Sequence, residues 1–558
     1  MRVYFSGIGG VAIGPLAEIA CDAGYEVLGS DLEESLMTTL LKQRGITMQI
    51  GPQSGELLRR EHEATPIDWF VYTAALPHDH PELVAASELG IRAVKRDGFL
   101  AEFLHEKNLQ LIAISGTHGK TTTTGMMVWA MQQLGVPVSY SLGTTISFGP
   151  SGAYDPSSNY FIYECDEFDR NMLKFHPYLS LLTSLDYDHP DTYPTEKDYT
   201  AAFSQFLQQS KHTIGWEHDL EKLADAPSWR LRSNEAMDIP LPGAHSRRNA
   251  TLVAKAIEYL ADDSSALLTT TNLDTILSNF PGTNRRFEKL GEHLYSDYGH
   301  HPVEIAATLQ LASELSDHVV LVYQPHQNVR QHEVREQYTN CASVAEEVYW
   351  LPTYQSREDP SLEILSPAQL TNKLVTKNTV HISELNTELW SEIQRHRDAG
   401  HLVLCMGAGS IDGWLRTNVA VAQVADVLVR NKQGCFVLQQ RDHTPGINNP
   451  GMITAFGGAV EGNETPRQGA ARELQEETNI RFSTDELRYI CAVYQERVND
   501  GKPRWVSFYL LENADTANLE VYEGEGAVII PPDADFDTYP ALSTTVRTIL
   551  TQLPSTMR

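Results

Sequence analysis

Cysteine is scarce in this chain. Six stand in 558 residues (Cys21, Cys165, Cys341, Cys405, Cys435 and Cys491), far apart and with no C-x-x-C pair. That spacing argues against thiolate metal clusters and a disulfide framework, and fits a reducing cytoplasm. No apolar run reaches the ~18 residues a membrane span needs, and neither a low-complexity tract nor a solenoid-period repeat is present. The opening "MRVYFSGIGG" reads as a strand and a turn rather than a signal peptide. Positive charge is short as well, with 43 Lys and Arg against 73 Asp and Glu, a net charge of −30. Nucleic acid and anionic membranes both need a positive patch, so neither is an expected partner. Small anionic substrates stay open, because glycine loops, helix ends and Mg2+ provide local attraction. The expectation is a cytoplasmic protein, and at ~100–200 residues per domain its length implies about four domains.

Residues 1–105 alternate β-rich runs ("RVYF", "EVLGSD", "WFVYTAAL", "IRAV") with helical stretches, the rhythm of a parallel sheet covered on both faces. A second unit opens at "LQLIAISGTHGKTTTT", where an apolar strand meets a Gly-bearing loop and a helix ending at Gly135. A third follows "FPGTNRRFEKLG" and holds the buried-type strands "HVVLVYQ" and "LVLCMGAGS". Near 415–420 the pattern changes to "VAQVADVLVRNKQGCFVLQQRD", an antiparallel hairpin turning at "NKQG" that opens an α+β domain.

Several constellations carry chemistry. Gly7, Gly9 and Ala12 fit G-x-G-x-x-A after a strand, and Asp31 ends the next strand, where a ribose-binding acid would sit. A nicotinamide cofactor, another nucleotide and a bare tight turn all remain open for that motif. "GTHGKTTTT" offers Gly116, Thr117, His118, Gly119, Lys120, Thr121 and Thr122 at a strand-to-helix junction, where backbone N–H groups wrap phosphate, lysine adds charge and the Thr121 hydroxyl ligates Mg2+. Ile114 stands where the full phosphate-loop spacing needs glycine, so the loop is a shortened variant; the bland alternative is a Thr-rich helix cap. Acids end the next two apolar strands: Glu164, Asp166 and Glu167, then Asp186 and Asp188 with His189. Beside a phosphate loop they suit a hard cation. Arg285 and Arg286 suit a transferring phosphoryl group, carried by a third unit that closes over it; Asp297, His300 and His301 follow, and the two histidines fit hydrogen-bonded turns equally well.

In order, GIGG, GTHGKTTT, ECDEFD, DYDHPD, PGAHSRRNA, NRRFE, DYGHHP and QPH resemble the Mur ligases of bacterial cell-wall synthesis over about residues 1–415. The resemblance implies an α/β chain of three ligase domains: a Rossmann-like domain for the UDP-sugar at 1–105, a central P-loop-type ATPase at 106–282, and a Rossmann-like C-terminal domain at 283–416. It implies an ATP-dependent amide ligase acting on UDP-N-acetylmuramate. Lys120 would hold phosphates, Thr121, Glu164 and His189 the Mg2+, His245 and Asn249 the adenine side, and Arg286 a phosphate. Gly9, Gly10, Asp31 and His300 would serve the substrates. "SGIGGVAIG" and "RRFEKLG…YSDYGHHP" are most similar to members that add L-alanine; "DEFD" leans towards members that attach a ready-made tripeptide to the same sugar. Ser246 and Ser184 replace asparagines usual in the family, and "YTAAFSQFL" has no lysine to match the carbamylated lysine of sister enzymes.

Downstream, Gly458, Glu464 and "RELQEE" resemble the signature of the Nudix hydrolases. Only its penultimate glycine departs, being Asn479, an asparagine expected to accept a left-handed backbone there. Glu473, Glu476 and Glu477 stand at i, i+3 and i+4 on one helical face, a like-charge arrangement that cations relieve. Arg472 is placed to pin these acids and Glu464 to brace the loop. The resemblance implies a mixed sheet flanked by helices over 418–558. It also implies Mg2+- or Mn2+-assisted attack of water on a nucleoside diphosphate derivative. UDP-sugars, damaged nucleotides and ADP-ribose are open as substrates, and a nucleotide-sensing module without turnover is the competitor.

Overall fold

The strand Arg2–Ser6, apolar at its three central positions Val3, Tyr4 and Phe5, shows why the first sheet is covered on both faces. Val3 and Phe5 point into one buried cluster with Ile13, Leu16 and Phe99, while Tyr4 joins another with Leu57, Leu58 and Phe70. Side chains alternate across a strand, so a strand apolar at successive positions needs packing on both sides. The computed structural model describes residues 1–73, 76–189, 192–223, 228–263, 272–356, 358–375, 379–444, 447–462, 464–496 and 502–553. It divides into two compact units, Met1–Glu288 and Lys289–Arg558.

The first unit holds two sheets. In one, strands Thr47–Ile50, Glu26–Asp31, Arg2–Ser6, Trp69–Tyr72 and Arg92–Lys95 lie in that spatial order, all parallel. In the other, the order is Ser228–Leu231, His212–Trp216, Leu179–Leu182, Gln110–Ser115, Tyr160–Glu164, Ser139–Ser141 and Gly152–Ala153. All its pairs are parallel except the last. Strand order reverses around Gln110–Ser115, which puts the loop beyond its C-terminal end at a topological switch point, where open α/β sheets bind ligands.

The second unit also holds two sheets. The order Glu288–Gly291, Leu294–Asp297, Leu402–Met406, Val319–Tyr323, Glu347–Trp350, Thr379–Ile382 is parallel from Leu294 onward. The last sheet is mixed: Ala422–Asn431 pairs in parallel with Arg504–Ala514 and antiparallel with Phe436–Gln440, as the hairpin pattern predicts. Only Val421 separates helix Ile411–Ala420 from strand Ala422–Asn431. The two sheets share one apolar cluster, in which Trp390, Ile393 and Leu415 meet Ala492 and Trp505. Trp505 packs 5.9 Å from Trp390, its Nε1–H donates to Asn418 Oδ1 at 3.0 Å, and Arg467 forms an ion pair with Asp398 that Tyr509 reinforces at 2.9 Å. Trp505→Ala therefore removes a side chain from a core common to both sheets. Its expected cost is about 3–5 kcal/mol, read as an earlier denaturant midpoint with loss of both sheets in one step; separate transitions with the first unshifted would contradict the shared core. Among the described residues, no helix is long and apolar enough to cross a membrane.

Candidate active sites

The loop after strand Gln110–Ser115 is shaped by two glycines. Gly116 has φ +130°, and a Cβ there would lie 2.4 Å from Thr183 Oγ1; Gly119, at φ +84°, faces Asn249 across 3.1 Å. Larger residues would be strained at either place. Cross-strand bonds hold the loop. Thr117 N–H donates to Ser184 O (3.1 Å), His118 N–H to Ser184 Oγ (2.9 Å) and Thr183 Oγ1 to His118 O (2.5 Å). Thr117 Oγ1 donates to Asp186 O (2.7 Å) and stands 2.8 Å from the Tyr199 hydroxyl. Ser184, a departure from the family pattern, thus pins the loop with its own hydroxyl. Helix Lys120–Gln133 starts here, so its free N–H groups point at the loop and Thr122 lies half-buried in its first turn.

Lys120 is half-buried, its Nζ donating to Gly116 O (2.6 Å), Thr117 O (3.2 Å) and both oxygens of Glu167 (3.1 and 2.8 Å). Burial alone would depress this ammonium, but Glu167, Asp166 and Glu164 outweigh it and hold it charged. Glu167, 1% exposed, was noted in the sequence only as one of several acids; nothing there marked it as the lysine's partner. Thr121 Oγ1 donates to Glu164 Oε1 at 3.0 Å, and Arg286 Nη2 reaches Thr121 Oγ1 at 3.4 Å. Arg286 falls within the first compact unit, two residues before its end at Glu288. Glu164 Oε2 is buried and without a hydrogen-bond partner. Burial pushes the Glu164 carboxyl up, against the pull of Lys120 and Arg286. A threonine hydroxyl beside an unsatisfied carboxylate oxygen is a donor set that fits Mg2+.

His189 falls on the Glu167 side. It adopts φ +58°, its Nε2 lies 3.7 Å from Glu167 Oε1, and with Asp166 and Glu167 it forms a group whose ligand atoms fit within 4.8 Å. Phe168, the aromatic of "DEFD", packs 5.5 Å from its ring. Pro190 and Asp191, which end the DYDHPD loop, lie outside the described residues. His245 and Asn249 stand one turn apart on helix Ala244–Asp263, with Asn249 against Gly119 and Ser246 buried between them.

Near the first strand, Asp31 Oδ2 accepts from Gly9 N–H at 2.7 Å, and a Cβ on Gly9 would lie 2.6 Å from Thr38 Cγ2 and 2.9 Å from Asp31 Oδ2. Asp31 thus braces the glycine turn, with exposed Gly10 at its rim. In the second unit, His301 caps helix Pro302–Leu315, its Nδ1 accepting from Val303 N–H, which is the turn-residue reading. His300 sits 5.7 Å from the His326 ring and is held neutral at physiological pH, pushed down to about 4 mainly by burial.

The second acidic site lies on helix Pro466–Glu477, capped by Thr465 with Gln468. Gly458 has no side chain because Glu473 fills the space, a Cβ there lying 2.5 Å from its carboxyl. Arg472 ties the group together, donating to Glu464 (2.9 Å), Glu473 (2.9 Å), Glu476 (3.2 Å) and Ala459 O (2.8 Å). Glu476 is exposed, while Glu477 is buried and accepts from Gln439 Nε2 (3.2 Å) and Gly457 N–H (3.0 Å). Burial first, then Glu523, pushes Glu477 up to about 7. Asp426 is pushed up to about 8 by burial and by Glu477 and Glu473. Carboxyls held that high are ones a bound divalent cation would return to the ionised form. Sequence reading missed Asp426, Gln439 and Glu523; an acid inside the apolar run "VADVLV" was the available signal. One expectation is corrected. Asn479 is not among the positive-φ residues; instead its side chain clamps a neighbouring segment, donating to Asn518 O (2.7 Å) and accepting from Glu520 N–H (3.0 Å).

Family models match in the same order: Mur ligase family, catalytic domain, at 2–108; Mur ligase middle domain at 114–216; Mur ligase, glutamate ligase domain, at 285–409; and NUDIX domain at 421–535. A UDP-N-acetylmuramate–L-alanine ligase of Nocardioides sp. is 30% identical over 431 residues, 74% of this chain and 94% of that one. The Novosphingobium aromaticivorans enzyme of the same name is 29% identical over 485 residues, 77% and 98% of the respective chains. Among solved structures, a UDP-N-acetylmuramate-alanine ligase of Thermotoga maritima shares the fold at TM-score 0.59 and 22% identity, covering 75% of this chain and 98% of that one. A murein peptide ligase of Psychrobacter arcticus does so at 0.52 and 23%, with the same coverage.

Proposed function

This chain belongs to the Mur ligase family and carries a NUDIX domain behind its ligase portion, and from that premise we propose that it joins L-alanine to UDP-N-acetylmuramate at the expense of ATP and separately hydrolyses a nucleoside diphosphate derivative. The working division is 1–105 for the UDP-sugar, 106–282 for ATP, 283–416 for the amine and 418–558 for hydrolysis, with both reactions in the cytoplasm. The observation that carries the ligase reading is the convergence of Lys120, Thr121, Glu164 and Arg286 on one glycine loop at the sheet's switch point.

A carboxylate and an amine do not condense in water without activation. The lactyl carboxylate attacks the γ-phosphorus of ATP, ADP leaves, and an acyl phosphate forms; the amine then adds to the acyl carbon and expels inorganic phosphate. Both first-step reactants are anions, and bound Mg2+ supplies charge neutralisation and a template for the phosphates. Lys120 exchanges Glu167 for the β- and γ-phosphates, and Arg286 stands across Thr121 to meet transferring charge. Asn249 and His245 flank the adenine side, while Gly9, Gly10 and Asp31 shape the turn that seats the UDP portion. Thr121, Glu164 and His189 would hold the metal, His189 standing beside Glu167. In the hydrolase, Glu473, Glu476 and Glu477 would hold Mg2+ or Mn2+, and Arg472 keeps their helix face in register with the loop at Glu464.

The amine is decided by direct comparison. Phosphate release should require ATP, UDP-N-acetylmuramate and an amine together, with kcat/KM for L-alanine exceeding that for the tripeptide by about tenfold or more, the scale set by a pocket built for a small side chain. A preference for the tripeptide, which Phe168 beside His189 would favour, overturns the choice of amine and leaves the ligase standing. For the NUDIX portion, nucleoside diphosphate derivatives are screened on the full chain, because Trp505 shares its core with the ligase sheet. Tight binding without turnover would make it a sensor.

A further inference from the structure

The parallel sheet of the second unit carries metal-capable side chains that neither reading uses. His318, Glu346 and His401 each stand immediately before a strand, namely Val319–Tyr323, Glu347–Trp350 and Leu402–Met406. Those strands are neighbours in the sheet, so the three residues gather at its N-terminal edge, opposite the edge beyond which His300 and His326 lie. Backbone bonds lock the arrangement: Leu402 N–H donates to His318 O at 2.9 Å and Glu346 N–H to Val319 O at 2.8 Å. One ligand atom from each residue lies within 4.8 Å of the others, His318 Nδ1 stands 2.8 Å from Glu346 Oε1, and the His318 and His401 rings stack at 5.2 Å.

We propose that His318, Glu346 and His401 bind a divalent cation of the zinc type, with the remaining coordination open to water. Two imidazoles and one carboxylate match that class of ion, whereas Mg2+ and Ca2+ prefer oxygen throughout. Bonds of ~2.0–2.1 Å in tetrahedral geometry place ligand atoms about 3.3 Å apart. The His318–Glu346 contact, at 2.8 Å, is somewhat shorter than that value, and the His318 side chain, 60% exposed, has room to adjust.

The support behind His401 also fits. A ligating imidazole donates its other ring N–H to a neighbour, and His401 Nδ1 lies 3.1 Å from Nδ1 of His396, itself buried. His396 Nε2 in turn faces the Tyr349 hydroxyl at 3.1 Å, Glu347 Oε2 at 3.5 Å and Arg395 Nη2 at 2.9 Å. With His396 accepting from His401, its own proton sits on Nε2 towards Tyr349 and Glu347, and Arg395 turns to Glu392 and Glu347, already 2.9 and 3.7 Å away. Burial, chiefly, pushes the His396 imidazole down to about 4 and shifts His401 in the same direction. An ion here clips the starts of three strands. The competing reading is a surface His318–Glu346 ion pair with no bound metal, worth under about 1 kcal/mol.

The test uses the full chain stripped of metal, in millimolar Mg2+ to fill oxygen-lined sites. Zn2+ is titrated by calorimetry, and Co2+ serves as the visible-absorption probe. The wild type should bind one equivalent more of Zn2+ than His401→Gln, and His318→Gln, at an exposed position that does not threaten folding, should lose the same equivalent and the Co2+ band. Ligase turnover should be unchanged in both. Equal stoichiometry in wild type and His318→Gln, or no Zn2+ taken up by the wild type in Mg2+, overturns the proposal.

Discussion

Replacing Lys120 by alanine should lower ligase turnover by on the order of 10²–10³-fold or more, the scale of losing one preorganised charge at a developing anion. Hydrolysis by the NUDIX portion should not change. The substitution has a second effect that must be separated from the first. Glu167 is 1% exposed and bonds Lys120 through both oxygens, so alanine leaves a buried carboxylate unpaired. Breaking a buried pair in this way costs about 3–5 kcal/mol. Lys120→Ala combined with Glu167→Gln should therefore recover stability without recovering turnover. Phosphate release measured with ATP, UDP-N-acetylmuramate and L-alanine checks the first effect, and denaturant unfolding checks the second. Unchanged release in the single variant would remove the ligase assignment at this loop; recovered release in the double variant would mean Lys120 is structural only.

Glu477→Gln should abolish metal-dependent hydrolysis, by roughly 10²-fold or more, while ligase turnover stays intact. The same substitution carries a pH signature. Glu477 is raised above the usual 4.5 to about 7, burial leading and Glu523 adding to it. A carboxyl raised on folding contributes stability that is fully present below its unfolded value and lost as pH rises through the folded one. Without divalent metal, wild-type stability should fall between about pH 5 and 8, and glutamine at 477 should remove roughly 3 kcal/mol of that loss at most. The variant would be the more stable protein at pH 8 and indistinguishable near pH 4. Metal binding needs the ionised form, so the Mg2+ or Mn2+ concentration for half-maximal wild-type hydrolysis should fall as pH rises through 7. A midpoint independent of pH, or hydrolysis retained in the variant, would place the metal elsewhere.

Local order in the sequence reached far into this structure. The glycines at 116 and 119, the lysine after them and the apolar strand before them can be read together because each meets a backbone requirement within a few residues: positive φ, a helix start, a buried strand. The hairpin at 422–440 and the shared face of Glu473, Glu476 and Glu477 were legible for the same reason, as strand and helix periods are properties of the chain itself. Asn479 shows where that logic failed. Its role depends on Asn518 and Glu520, about forty residues on, and no local rule names them.

The sequence by itself thus determined which residue types occupy the strand ends and loops, and with them the two chemistries. Only the tertiary structure decided the pairings. It set Glu167 rather than Glu164 against Lys120, put Arg286 beside Thr121 and raised Asp426 and Glu477 by burial. It also gathered His318, Glu346 and His401 from three strands and joined two sheets through Trp390 and Trp505. The physical reason is that sheet order and crossover bring together side chains distant in the chain, and electrostatics and desolvation act on distance in space, to which spacing along the sequence is blind.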